Sequence, residues 1–243
     1  MTQRSGRGAL GRVLLKLSGE ALCARGGSGV DPAELRIIAR EIAQAVSTGA
    51  RMAVVVGGGN LIRGARLAQE GLIEQATADQ MGMLGTVINA IALRAALERE
   101  GVPARAMSAL PAPQAIETYV RARALRHLEK GRVVVLAGGV GHPYFTTDSG
   151  AALRAVELRC EAMLKATKVD GVYTADPAKD PRATRYESLT YAEALEKRLG
   201  VLDATALALC QENGMPTLVF RFEEPGNIAR AVRGETVGTL VTA

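Results

Sequence analysis

Tryptophan is absent from this 243-residue chain, and aromatic residues make up only 3% of it. So few rings leave no stacking platform for single-stranded nucleic acid. Histidine occurs twice, at His127 and His142, and no His/Cys cluster or carboxylate cage with metal-site spacing is present. The three cysteines, Cys23, Cys160 and Cys210, are odd in number and far apart. They read as small buried hydrophobes in a reducing cytosol, neither a disulfide framework nor a metal site. No signal peptide is evident and no apolar run looks long enough to span a bilayer, so a cytoplasmic chain with no membrane partner is expected. Lysine is scarce as well, with six residues, so arginine dominates a net charge of +5. That balance suits an anionic ligand. Nucleic acid would need a basic stripe, and Arg121, Arg123 and Arg126 read instead as the solvated face of a helix.

What is present alternates. Strands are expected at 12–17, 52–56, 104–107, 133–137, 162–167, 217–221 and 238–241, with a further arm at Val172–Tyr173. Between them, periodic segments predict helices. One opens at Asp31-Pro32, with an N-cap and a first-turn proline, and runs to about Val46 with Leu35, Ile38, Ile42 and Val46 inward. Others are expected from Asp79 to Glu100, Gln114 to Lys130, Asp148 or Ser149 to Arg159, Tyr191 to Arg198, Ala204 to Asn213 and Asn227 to Arg233. This is an α/β pattern, and the chain is long enough to bury a full core in one domain over 12–243. The polar residues 1–11 read as a frayed leader, and no linker, repeat or low-complexity tract follows.

Several strands end in chemistry. Val13-Leu14-Leu15 runs into Lys16-Leu17-Ser18-Gly19-Glu20, and Val54-Val55-Val56 into Gly57-Gly58-Gly59-Asn60 and then Arg63. Val133 to Ala137 runs into Gly138-Gly139-Val140-Gly141-His142-Pro143 and then Tyr144-Phe145-Thr146-Thr147-Asp148. The segment Lys165 to Pro177 packs two lysines, two carboxylates, an Asp170-Gly171 turn and Tyr173 together. An open α/β sheet binds ligands at the carboxyl ends of its strands, where helix N-termini offer free N–H groups. One glycine-rich turn is weak evidence, and Asp-Gly alone is an ordinary hairpin signal. Three such turns plus a strand-end lysine point to a large anionic ligand. Single residues keep plainer readings: Asp79, Asp148 and Asp203 as helix caps, Lys16 as a surface lysine, and Gly57 to Gly59 as a tight turn.

These segments resemble the bacterial uridylate kinases of the amino-acid-kinase superfamily over nearly the whole chain. Asp79-Gln80-Met81-Gly82-Met83 and Pro143 to Asp148 are among the most specific pieces. The resemblance implies a three-layer α/β/α sandwich with a mostly parallel sheet, its first half holding UMP and its second half ATP. It implies transfer of the γ-phosphoryl group of Mg-ATP to UMP, within pyrimidine nucleotide biosynthesis. Lys16, Lys165, Asp148 and Arg63 would be catalytic, the two lysines acting from opposite sides. ATP would lie against Lys16, Leu17, Ser18, Gly19, Gly59, Arg63, Thr167, Tyr173 and Asp176. UMP would lie against Gly58, Asp79, Val140, Gly141, His142, Pro143, Tyr144, Phe145, Thr146 and Thr147. Mg2+ would arrive on ATP, held by phosphates and water.

The resemblance also implies a homohexamer built as a trimer of dimers. GTP would act as an allosteric activator near Ala24, Arg25, Gly26, Gly27, Ser28, Gly29, Arg94 and Arg105, with UTP as an inhibitor. The chain departs from the common pattern in two places. It reads Gly139-Val140-Gly141-His142-Pro143 where many relatives read Gly-Thr-Gly-Asn-Pro, and the 24–29 loop lacks an aromatic residue. Other superfamily kinases, acting on acetylglutamate, carbamate or aspartate, share the glycine-rich strand ends but not those two specific pieces. A non-catalytic relative is disfavoured by the presence of both Lys16 and Lys165.

Overall fold

The computed structural model describes residues 8–62, 71–177 and 179–243. Among them nine strands form one sheet in the order β4-β3-β5-β2-β1-β6-β8-β9-β7. The strands are β1 (Arg12–Leu17), β2 (Arg51–Val56), β3 (Ala104–Ser108), β4 (Glu117–Thr118), β5 (Val133–Ala137), β6 (Ala162–Thr167), β7 (Ser188–Thr190), β8 (Thr217–Arg221) and β9 (Thr239–Thr242). All pairings are parallel except β8 with β9. Parallel strands covered on both faces become continuous apolar runs. That is why β5, with all five residues buried, was visible as Val-Val-Val-Leu-Ala.

The helices are α1 (Pro32–Val46), α2 (Gln75–Arg99), α3 (Arg121–Glu129), α4 (Thr147–Glu157), α5 (Tyr191–Glu196), α6 (Ala204–Glu212) and α7 (Asn227–Val232), with a short 3-10 turn at Gly19–Leu22. Two apolar cores lie on opposite faces of the sheet. One gathers Val13, Leu15 and Leu17 with residues of α1, α2 and α7. The other gathers Leu14 and Met163 with residues of α3, α4, α5 and α6. The result is the expected three-layer sandwich. Successive side chains of a strand point to opposite faces, so Lys16 shares the Leu14 face and Lys165 the Met163 face. Both lysines therefore project toward the α4 and α6 layer. They are also direct cross-strand partners in the β1–β6 register.

Several boundaries differ from expectation. Asp31 caps α1 as predicted, accepting from the Ala33 and Glu34 N–H groups at 2.8 and 3.0 Å. Helix α2 begins at Gln75, four residues before Asp79, and its N-cap Glu74 makes no side-chain cap bond. Asp79 therefore lies inside the helix. α3 starts at Arg121, because Glu117–Thr118 pairs with β3 as an edge strand. Thr146, not Asp148 or Ser149, caps α4. The Val172–Tyr173 arm is a single bridge from Tyr173 to Arg185. By length and composition alone α2 is apolar enough to cross a membrane, which the sequence reading did not anticipate. Its Ala78, Ala90, Leu93 and Leu97 are instead wholly buried in the core of the sandwich. Of the expected leader, residues 1–7 lie outside the described residues. Leu10 N–H donates to the Val232 carbonyl at 2.9 Å and Gly11 N–H to the Glu161 carboxylate at 3.1 Å, so the tie to the fold begins before Arg12.

Candidate active site

The site is built where β1, β2, β5 and β6 end. Asp148, in the first turn of α4, reaches down between the two strand-end lysines. Its Oδ1 lies 2.8 Å from Lys16 Nζ, and its Oδ2 accepts from Lys165 Nζ at 2.7 Å. Lys165 Nζ also donates to the Val201 carbonyl at 2.5 Å. All three side chains are nearly buried, with 13–14% exposure. Two ammonium groups this deep require an anion, and a single carboxylate serves both. Burial pushes the Asp148 carboxyl up, but the charges of Lys16 and Lys165 outweigh burial and hold it below its ordinary value. Burial pushes Lys165 down. Asp148 opposes that shift, Lys16 reinforces it, and the net direction is downward. The lysines thus stand side by side on adjacent strands.

A cavity of about 230 Å³ opens on one side of this ion triplet. Gly58, Gly59, Asp79, Gly82, Thr86, Gly139, Val140, His142, Phe145, Thr146 and Thr147 are among its lining residues. Gly59 lines this cavity together with Gly58. Gly141, Pro143 and Tyr144 do not line it. Tyr144 is 73% exposed, and its backbone sits at φ 69°, a left-handed conformation that is uncommon for a tyrosine. Its N–H donates to Asp79 Oδ2 at 2.8 Å, and Gln75 Nε2 donates to Asp79 Oδ1 at 2.7 Å. Asp79 thereby ties the 142–145 segment to α2. The Gly58 turn packs so tightly on α2 that a Cβ there would overlap the Gly82 carbonyl oxygen.

On the other side, a cavity of about 370 Å³ is lined by Lys165, Thr167, Gly171, Tyr173, Asp176, Lys197 and Arg198, among others. It brings together the expected Thr167, Tyr173 and Asp176. The Tyr173 hydroxyl donates to Asp170 Oδ1 at 2.7 Å, while Arg185 pairs with Asp170 at 3.1 Å, so Asp170 shapes the turn. Ser18 accepts from the Glu20 N–H at 3.3 Å, fixing the turn after Lys16. Arg63 falls outside the described residues.

Some site residues carried little signal in the sequence. Asp203 caps α6 through the Ala206 N–H, and it also accepts from the Thr146 and Ser149 hydroxyls, locking α4 to α6 beside Lys165. A capping aspartate was legible, but its two hydroxyl partners were not. Buried Thr86 accepts from the Gly138 N–H at 2.7 Å, and Arg154 donates to the Gly139 carbonyl at 3.2 Å. Lys168 pairs with Glu20 at 2.8 Å. Away from the site, Arg94 and Arg105 both approach Glu98, at 3.9 and 3.6 Å. No hydrogen bond or ion pair links either arginine to the 24–29 loop among the described residues. Nor does any group of three or more His, Cys, Asp or Glu among them have the arrangement of a metal site.

The sequence and the fold recur in known proteins. The sequence profile described as Amino acid kinase family matches residues 11–221. A uridylate kinase of Azorhizobium caulinodans is 55% identical over 231 residues, covering 95% of this chain and 97% of its own. The UMP kinase structure from Bacillus anthracis superposes with a TM-score of 0.93 at 40% identity, covering 96% of both chains. That from Ureaplasma parvum gives 0.89 at 36% identity, over 98% of this chain and 100% of its own. Twin strand-end lysines under one helix-borne aspartate, set in a parallel sandwich that these relatives share almost end to end, have one reading: the chain belongs to the amino acid kinase family.

Proposed function

We propose that this protein transfers the γ-phosphoryl group of ATP to UMP, giving UDP and ADP for pyrimidine nucleotide synthesis. The observation that carries the reading is Asp148 holding Lys16 and Lys165 together, with its neighbour Thr147 lining one cavity and Lys165 lining the other. Phosphoryl transfer asks for positioned positive charge on the moving group and its flanking oxygens, with little covalent work. Paired lysines between a donor cavity and an acceptor cavity meet that need. The smaller cavity takes UMP, with Asp79 toward the ribose and the Thr146–Thr147 start of α4 toward the phosphate. The larger takes ATP, with Thr167, Tyr173 and Asp176 around its base and ribose. The chain then works as a single domain whose first half serves the acceptor and whose second half serves the donor. Mg2+ is carried on the ATP phosphates and completed by water, where it neutralises their charge.

A coupled ADP-release assay tests this. UMP is the expected acceptor, with CMP, acetylglutamate, carbamate and aspartate giving little turnover. Equal turnover with an amino-acid acceptor would replace the reading with another activity of the superfamily. His142, in the acceptor wall, favours uracil by donating to its 4-carbonyl. In that case His142→Ala narrows the preference for UMP over CMP by more than about twofold.

Regulation and assembly extend the same reading. GTP activates by binding near the 24–29 loop, Arg94 and Arg105, whose guanidinium groups suit phosphates. UTP inhibits, the enzyme is a homohexamer, and it works in the cytoplasm. Arg105→Ala should remove a GTP response while leaving basal turnover. A GTP response unchanged in that variant places the effector elsewhere.

A further inference from the structure

Beneath the glycine turn lies a buried pair of side-chain amides. Asn89, on α2, is fully buried, and Asn60, closing the Gly57 to Gly59 run, is 3% exposed. Bare amides in an apolar core are costly unless every polar atom is bonded. Here all four side-chain N–H bonds are used. Asn89 Nδ2 donates to the Gly57 carbonyl and to Asn60 Oδ1, both at 2.7 Å. Asn60 Nδ2 donates to Asn89 Oδ1 at 3.1 Å and to the Gly29 carbonyl at 2.7 Å. The Asn60 carbonyl in turn accepts from the Gly29 N–H at 2.9 Å. Gly19 packs onto the same knot: a Cβ there would lie 2.5 Å from Asn60 Oδ1 and 2.8 Å from the Gly59 nitrogen.

We propose that Asn60 and Asn89 are a positioning pair that aims the phosphate-facing turn of the site and ties the 24–29 loop to it. This rests on the kinase reading above. Neither side chain lines either cavity, so the pair acts through the backbone it holds. The peptide joining Gly57 and Gly58 is planar and trans, so its C=O and N–H point in opposite directions. Holding the Gly57 carbonyl on Asn89 therefore aims the Gly58 N–H away from it. Gly58 lines the acceptor cavity, and its N–H has no protein acceptor among the described residues. A preorganised donor of this kind acts on charge that develops during transfer more than on substrate binding.

The test compares the parent with Asn89→Leu and Asn60→Ala, each first shown to be folded at the assay temperature. Both should lose about tenfold or more in kcat, with KM for UMP within about threefold of the parent. In Asn60→Ala, trypsin should cut faster after the exposed Arg25, because the loop has lost its anchor at Gly29. A folded variant losing less than tenfold in kcat overturns the positioning role. Cleavage after Arg25 unchanged in Asn60→Ala overturns the tie to the loop. If Asn89→Leu does not fold, Asn60→Ala decides by the same thresholds. A parent that is silent with UMP would refute the kinase reading separately, and the trypsin measurement would then decide the pair's structural role alone.

Discussion

Two residues with like charge, Lys16 and Lys165, stand next to each other in a sheet, and Asp148 makes that arrangement tolerable. The carboxylate acts as a resident anion that holds both ammonium groups aligned until phosphates arrive. Removing a charge donor aimed at the transferred group costs about 3 kcal/mol or more. Lys165→Ala should therefore lower kcat by a hundredfold or more in a folded protein, and near-parental turnover would show that the ammonium is not catalytic. The pH behaviour follows from the shifts. The Lys165 value is depressed, so protonated Lys165 is lost on the alkaline side before an ordinary lysine would titrate. Asp148 opposes this depression most, with Asp203 adding a smaller push in the same direction. Asp148→Asn should therefore move the alkaline limb of the pH–rate profile to still lower pH, measured between about pH 7 and 10. An unmoved limb would assign it to another group. On the acid side the sign is opposite. Asp148 is depressed, so the stability it contributes is present above the ordinary carboxylate range and is lost as pH falls through its lower folded value.

Among the elements, legibility tracked how local the cause was. Parallel strands buried on both faces announce themselves as unbroken β-branched runs, and α1 carried its Asp31-Pro32 signature, so these were readable. β7 was not, because Ser188-Leu189-Thr190 becomes a strand only by pairing with β9. The start of α2 was misplaced because Glu74 leaves no capping bond to be read, whereas Asp79 looks like a cap. The strand-end residues of the site were legible as motifs. Asn89, one amide inside an apolar helix, was not, since only the fold brings it under Gly57. The fit of the Gly58 turn on α2 yields a stability prediction. Gly58→Ala puts a methyl against the Gly82 carbonyl and the Thr86 nitrogen, both backbone atoms that cannot swing aside. It should cost about 1–3 kcal/mol, read as a lower denaturant midpoint with an unchanged slope. An unchanged midpoint would mean that α2 shifts freely, and that the turn is not held as described.

At the scale of the whole molecule, α2 is apolar on more than one face. Its core side is buried, yet Leu84 and Ile88 remain more than half exposed at 54% and 53%. A helix of this kind fits burial on a second side by another copy. Light scattering at micromolar concentration should return a hexamer, and a stable monomer would refute the assembly. The position of β1 carries a different consequence. The first strand made is the middle of the sheet, with β2 on one flank and β6 on the other. Synthesis proceeds from the N-terminus, so β2 leaves the ribosome soon after β1, while β6 follows roughly a hundred residues later, several seconds at about 5–20 residues per second. During that interval Val13, Leu14 and Leu15 have an open edge, and the lysine of β1 has neither its cross-strand partner nor its shared aspartate in a finished site. A nascent chain halted before Ala162 should be cleared quickly by proteases, and one released at full length, with α7 and β9 in place, should resist them.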